Sequence, residues 1–277
     1  MKFLFKLVLI FTYILFSINT VEAKVSCCSY KVIKDSDGVY VVEVKTSKTN
    51  DCLVPYVVKD LETNETVYEN TGAKFSVNAG FFDPKNQKTI SYITIDKELV
   101  ANPEENENLM ENQVLRPYLD KILNRSEFRV LENENGEILY DIAAHKDAVI
   151  EGYEIKHSIQ SGPMLFPELK LEEEFFILVK DEKIVSESAS SLHKYARTAI
   201  GIKENNVYLF IITTEAPMTL EEVSNLARKW GMEKAMAFDG GGSTSYKDNK
   251  YEIVSEKDNQ ARKVKSFLLL KPFYLFK

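Results

Sequence analysis

Val207-Tyr-Leu-Phe-Ile-Ile-Thr213, Thr219-Leu-Glu-Glu-Val-Ser-Asn-Leu-Ala-Arg-Lys-Trp-Gly231 and Ala235-Met-Ala-Phe-Asp-Gly-Gly-Gly-Ser243 decide the fold class. The first is an uninterrupted apolar run of strand length, rich in β-branched and aromatic residues. In the second, the Thr219 hydroxyl is placed to cap a helix and Glu222 stands three residues on, the pattern of a capping box. Leu220, Val223, Ala227 and Trp230 then fall on one helical face, and Gly231 sits where a left-handed C-cap belongs. Ala235–Phe238 reads as a short buried strand that ends in an acid and three glycines. Strand, capped helix, strand and glycine turn predict sheet and helix in one unit. If that helix is a crossover, the strands on either side of it are parallel neighbours, and Glu215 and Asp239 emerge at the same sheet edge.

Upstream, Thr198–Lys203 is expected to form a hairpin with Val207–Thr213 through Glu204-Asn205-Asn206. Val39–Lys45 alternates as a half-buried strand does, Phe75–Asn78 is a second short strand with Tyr92–Ile95 as its hairpin partner, and Lys263–Leu270 is another strand. Residues 101–126 are polar and Asn/Glu-rich, with Leu109, Met110, Leu115, Leu119 and Ile122 at helical spacing; they predict a surface insertion of one or two helices broken near Pro117. No repeat and no Pro/Ser linker divides the chain. The expectation is a single α+β domain over residues 24–277, a mixed β-sheet with a few packed helices.

Of the 277 residues, the first 23 have the layout of a secretory signal: Lys2 and Lys6, an apolar run from Leu7 to Ile18, then Val21-Glu-Ala23. An uncleaved membrane anchor is the alternative, although Phe3 to Ile18 falls short of the ~20 residues that span a bilayer. Either reading makes the protein exported: secreted, periplasmic or held at the cell surface. Loss of Lys2, Lys6 and Glu22 moves the formal charge from −7 to −8. An acidic surface argues against nucleic acid as a partner, because phosphate neutralisation needs basic stripes. At 44% apolar and 28% charged residues, disordered and fibrous classes are excluded. Adjacent cysteines rarely bridge each other, so Cys52 is expected to pair with Cys27 or Cys28, closing a loop worth ~3 kcal/mol. His145, His157 and His193 are too scattered to make a metal motif, so the sequence requires no cofactor, and a divalent cation at Asp239 stays an open alternative. Asn64-Glu-Thr66 and Asn124-Arg-Ser126 fit the N-glycosylation sequon.

With only 11 glycines, the chain places six of them in four short motifs: Asn78-Ala-Gly-Phe-Phe82, Gln160-Ser-Gly-Pro163, Arg197-Thr-Ala-Ile-Gly201 and Asp239-Gly-Gly-Gly-Ser243. Polar side chains and bare backbone at strand ends are a usual way to build a site. Gly240, Gly241 and Gly242 could present successive N–H groups to an anion. They are not a P-loop, which ends in Lys and Ser/Thr, nor a G-x-S-x-G nucleophile elbow.

This ordered set, together with the helix between the third and fourth motifs, resembles the phosphodiester glycosidase family from about residue 70 to the C-terminus. The best-known members of that family remove N-acetylglucosamine from the phosphate-linked cover on mannose-phosphate glycans. Residues 101–126 have no counterpart in the motifs. The resemblance implies hydrolysis of a sugar–O–phosphate bond in a surface or extracellular glycan. A phosphate monoester with a second pKa near ~6 leaves without a strong general acid. The site must therefore hold phosphate, stabilise an oxocarbenium-like sugar and activate water. Arg197 is the expected phosphate clamp, since a guanidinium grips two oxygens at once. Asp239 and Glu215 are the carboxylate candidates. Asn78, Gln160, Ser161, Thr198 and Ser243 are expected to hydrogen-bond substrate, Gly80, Gly162 and Gly240–Gly242 to admit it, and Phe82 (or Phe81) to stack on a sugar ring. The rival expectation is a non-catalytic glycan- or phosphate-binding envelope protein on the same scaffold.

Overall fold

The computed structural model describes residues 28–255 and 261–271. The leader at 1–23 and Cys27 lie outside the described residues.

The long apolar run is buried on both faces. Along Asn206–Ile212, Val207, Leu209 and Ile211 enter one core while Tyr208, Phe210 and Ile212 enter another, which is the period-two alternation of a strand with a protein layer on each side. The strand joins Arg197–Lys203 through a turn in which Glu204 and Asn205 have φ of 50° and 59°, and Lys203 pairs with Asn206. Two central residues with positive φ match the twist of the flanking strands. The expected hairpin is present, with Asn206 already in the strand.

These two strands sit in a six-stranded sheet whose order is Ser29–Ser36, Val39–Lys45, Asn206–Ile212, Arg197–Lys203, Lys234–Ala237, Met164–Phe166. A five-stranded sheet runs Glu252–Val254, Ser245–Asp248, Phe75–Asn78, Val264–Leu270, Leu53–Glu62. A second five-stranded sheet runs Glu98–Ala101, Ile93–Ile95, Tyr153–Gln160, Ser126–Asn133, Ile138–Ala144. One core spans all three, bringing together Val42, Leu209, Phe75, Tyr246, Phe128 and Ile142. A separate two-stranded ribbon is formed by Ile177–Lys180 and Lys183–Glu187. Cys28 bonds Cys52 and ties the edge of the first sheet to the second. No helix among the described residues is long and apolar enough to cross a membrane.

Helix Leu220–Lys229 has the capping box expected of Thr219 and Glu222, and Gly231 follows it at φ +74°. Leu220, Val223 and Ala227 pack on Val41 and Phe210, across the six-stranded sheet from the shared core. A shorter helix, Asn64–Thr71, begins at Thr63, whose hydroxyl accepts from Thr66 N–H. Its Asn64 is buried, with Nδ2 donating to the Ser76 carbonyl at 3.1 Å and to Ser245 Oγ at 3.2 Å.

Three expectations are corrected. The molecule is mainly β with few helices, and every strand pairing among the described residues is antiparallel, so the sheets are not mixed. Asn206–Ile212 and Lys234–Ala237 do run the same way, but Arg197–Lys203 lies between them and pairs with both. Phe75–Asn78 does not pair with the segment at 92–95; its partners are Ser245–Asp248 and Val264–Leu270, while Ile93–Ile95 pairs with Glu98–Ala101 and Tyr153–Gln160. The 101–126 stretch does carry short helical turns, at Pro103–Glu105, Glu107–Met110, Arg116–Tyr118 and Leu119–Ile122.

Candidate active site

Antiparallel pairing places the start of Arg197–Lys203 beside the end of Lys234–Ala237, and the same register brings all four glycine motifs to one place. Phe238 N–H donates to the Thr198 carbonyl at 2.8 Å, and Gly241 N–H to the Ala196 carbonyl at 2.8 Å. From the other side, Gly162 N–H donates to the Ala237 carbonyl at 3.0 Å and Ala237 N–H to the Pro163 carbonyl at 2.9 Å. From the neighbouring sheet, Asp239 N–H reaches the Ala79 carbonyl at 2.8 Å. Asn78 closes the junction: its Nδ2 donates to the Asp239 carbonyl at 2.6 Å, and its Oδ1 accepts from Thr198 Oγ1 at 2.8 Å and Ser245 N–H at 3.0 Å.

Around this junction lies a cavity of about 260 Å³, bounded by Asp239, Gly240–Gly242, Arg197, Arg262, Phe81 and Tyr195, with Gly162, Pro163 and Phe176 forming a further wall. Asp239 is half-buried at the cavity. Burial pushes its carboxyl up to about 6, against the opposing pull of the Ser243 hydroxyl, the Arg262 charge and the Gly240 N–H. Ser243 Oγ is itself buried and makes no well-formed hydrogen bond. An acid raised by desolvation beside a cation in a cleft is a usual mark of a functional group.

Arg197 is 5% exposed and is spent mostly on main chain. Its Nε donates to the Met218 carbonyl at 3.0 Å, Nη1 to Ala189 at 3.3 Å, and Nη2 to Ser190 and His193, both at 2.7 Å. Four of a guanidinium's five N–H groups are thereby committed, one is left, and the charge remains. Burial lowers the Arg197 pKa from its ordinary value, with Glu187 and Tyr195 opposing. The glycine turn is partly committed: Gly241 N–H goes to Ala196, which among the described residues leaves the Gly240 and Gly242 N–H groups without a well-formed protein acceptor.

The structure therefore divides the expected site residues. Asp239, Arg197, Gly162 and Gly240–Gly242 line the cavity. Asn78, Thr198, Gln160 and Ser161 are fully buried behind it. Asn78 and Thr198 hydrogen-bond each other instead of a sugar, and the Gln160 amide serves Leu123 and Arg125 carbonyls at 2.9 and 3.2 Å. Gly80 is a packing position, because a Cβ there would come within 2.8 Å of Ser91 Oγ. Phe82 belongs to a core cluster with Val67 and Phe267, and its neighbour Phe81 takes the place at the cavity. Glu215 is exposed and away from the cavity, beside the Gly38 turn, because its segment leaves the sheet one strand further out. Sequence reasoning missed Arg262, which stands 5.8 Å from the Phe82 ring centre, and Tyr195, 47% exposed at the rim. A basic residue just ahead of the strand Val264–Leu270 was the available signal for Arg262.

Among the described residues the one group of three ligand-type side chains is Asp51, Asp96 and His157, remote from Asp239 in the sheet order. His157 Nδ1 accepts the Asp96 N–H at 3.0 Å, which places the ring proton on Nε2, facing Asp51 Oδ2 at 2.9 Å. Lys156 and Lys271 lie 3.4 Å from the same oxygen. Burial opposes ionisation of Asp51, but His157 and the two lysines outweigh it and hold the carboxyl far below the usual range. This arrangement is an ion-pair network whose positive charge is already supplied.

Comparison with known proteins bears on the family and the fold. The family described as phosphodiester glycosidase matches residues 71–271. Among solved structures, the catalytic domain of zebrafish N-acetylglucosamine-1-phosphodiester alpha-N-acetylglucosaminidase, auto-inhibited by its pro-peptide, superposes with a TM-score of 0.61 at 17% identity, covering 89% of this chain and 82% of that one. A Burkholderia pseudomallei protein gives 0.60 at 13% identity over 84% and 74%, and a Synechocystis protein 0.56 at 14% over 87% and 63%. These likenesses establish the fold. No curated protein sequence matches.

Proposed function

The chain belongs to the phosphodiester glycosidase family, and from that premise we propose that it is an exported hydrolase cleaving the glycosidic bond of a sugar-1-phosphodiester in a surface or extracellular glycan. The observation that carries this reading is Asp239: a carboxyl raised to about 6 at the edge of a cavity whose other charged groups are Arg197 and Arg262. In the proposed reaction the diester phosphate sits toward Arg262 and the Gly242 N–H, and the sugar ring lies against Phe81. The C1–O bond breaks with its electron pair leaving on the phosphate, which the arginine charges stabilise. Water adds to C1 and gives a proton to the Asp239 carboxylate. Departure of a phosphate needs no strong acid, so a single carboxylate in the cavity suffices for an oxocarbenium-like path. Arg197 contributes charge and shapes the rim through residues 189–193; the direct clamp falls to Arg262.

The binding-module alternative draws on one observation, the commitment of four Arg197 N–H groups to carbonyls. Incubating the protein with a panel of sugar-1-phosphodiesters separates the two. The enzyme releases sugar and phosphomonoester, and Asp239→Asn binds the same diester without turnover. Binding without release by the wild type would establish the module instead.

A further inference from the structure

Behind the cavity wall formed by Gly162, Pro163 and Phe176 lies a carboxylate that the proposed chemistry does not use. Glu174 is 4% exposed. Its Oε2 accepts Ser126 N–H at 2.9 Å, and its Oε1 accepts Ser126 Oγ at 2.7 Å and Met164 N–H at 2.9 Å. Arg125 Nε donates to the Glu174 carbonyl at 3.0 Å and Nη2 to the Phe175 carbonyl at 3.2 Å. The Arg125 guanidinium lies 4.1 Å from the Phe176 ring centre and 5.7 Å from that of Phe81, and both rings line the cavity. Gly162 has φ +92°, and a Cβ on it would overlap Glu174 Oε2, so the glycine leaves room for the carboxylate as well as meeting the backbone requirement. One carboxyl group thus joins residues 125–126, 162–164 and 174–176 behind a single wall.

The chemistry of the donors explains why an acid stands there. Three donors converge on two oxygens, and a carboxylate has acceptor sites for all of them. An amide would turn its own NH₂ against one of the main-chain N–H groups. Burial raises the Glu174 pKa from its ordinary value, while the Met164 and Ser126 donors and the Arg125 charge oppose the rise.

We propose that Glu174 is a positioning residue of the active site: without touching substrate, it holds the Gly162–Pro163 wall at the separation from Asp239 that the sugar phosphate requires. The Gly162 N–H bond to Ala237, two residues before Asp239, carries that placement to the reacting group. The proposal rests on the cavity being the catalytic site.

The test compares wild type, Glu174→Gln and Ser126→Ala in thermal midpoint, in crystal structures, and in kcat and KM for a diester that the wild type hydrolyses. Glu174→Gln is expected to fold, to show the Gly162–Pro163 backbone displaced relative to Asp239, and to lose ~10–100-fold in kcat per folded molecule, the scale of a misplacement near 1 Å. KM should change less than about threefold, and the acid limb of the pH profile should stay where Asp239 sets it, since Glu174 exchanges no proton with substrate. Ser126→Ala, lacking one donor of three, should fold with a lowered midpoint and lose about two- to fivefold in kcat per folded molecule. An unchanged kcat in folded Glu174→Gln, or a backbone at 162–163 that superposes on wild type, overturns the proposal. Should Glu174→Gln fail to fold, wild-type kcat in Ser126→Ala overturns it. If the wild type turns over no diester, the catalytic reading has failed on its own, and the crystallographic displacement still decides whether Glu174 sets the wall.

Discussion

Asp51 and Asp239 are both carboxylates withdrawn from water, and the fold treats them in opposite ways. Asp51 faces the His157 ring proton and two lysines within 3.4 Å, and its charge is compensated. Asp239 has the Ser243 hydroxyl, one arginine charge and a turn N–H for company, and burial outweighs them, keeping its proton on up to about 6. The first arrangement lowers the free energy of the folded chain. The second leaves a charge that only a visitor to the cavity can use. Residue type does not distinguish them; the number of cationic partners does.

The two acids should differ most in turnover. Asp239→Asn should lose about 10²–10⁴-fold in kcat for a sugar-1-phosphodiester, whereas Asp51→Asn should keep wild-type kcat. Stability should respond the other way round. Asp51→Asn strips an acid from three cationic or donor partners and is expected to cost about 2–4 kcal/mol in urea unfolding; an Asp51→Asn protein of wild-type stability that no longer turns over would erase the contrast.

pH sharpens it further. The folded-state pKa of Asp239 is raised, so the native state holds that proton more tightly than the unfolded chain does. Its contribution is therefore favourable below the ordinary carboxylate range and is lost as pH rises toward about 6. Discounted for partial exposure, about 1–2 kcal/mol should disappear between pH 4 and 6.5 in wild type and persist in Asp239→Asn. Asp51, held low, has the opposite sign: its contribution is present above the ordinary range and is lost only as acid is added below it. The smallest effect belongs to Glu215→Gln, an exposed acid away from the cavity, which should stay within about 0.5 kcal/mol in stability and twofold in rate.

Local physics made much of this legible in the sequence. The apolar residues of Val39–Lys45 marked a strand, although Val39 and Val41 enter one core and Val42 and Val44 the other, so it is buried on both faces and not half-buried as expected. The capping box and Gly231 bounded the helix at 220–229. What failed depended on partners far along the chain. Phe75–Asn78 gives no sign that its neighbours lie beyond residue 244, because hydrogen-bonding edges carry no side-chain label. The same remoteness hid Arg262, which the strand Val264–Leu270 delivers to the cavity. Asn78 and Thr198 looked like sugar-binding groups because their chemistry suits the task; whether such a group faces a ligand or a neighbour is set by sheet pairing alone. The Arg197 clamp failed more locally: carbonyl groups at 189, 190 and 193 are invisible in a sequence, since every residue has one.

The helix that opens at Asn64 has a consequence for biosynthesis. Asn64-Glu-Thr66 reads as an acceptor for an oligosaccharide, yet both hydrogens of the Asn64 amide are engaged, one on the Ser76 carbonyl and one on Ser245. A sugar attached to that nitrogen would displace the contact that seats Asn64–Thr71 on its sheet. In a cell equipped for such attachment, glycan transfer and closure of this corner compete for the same atom, and whichever comes first forecloses the other.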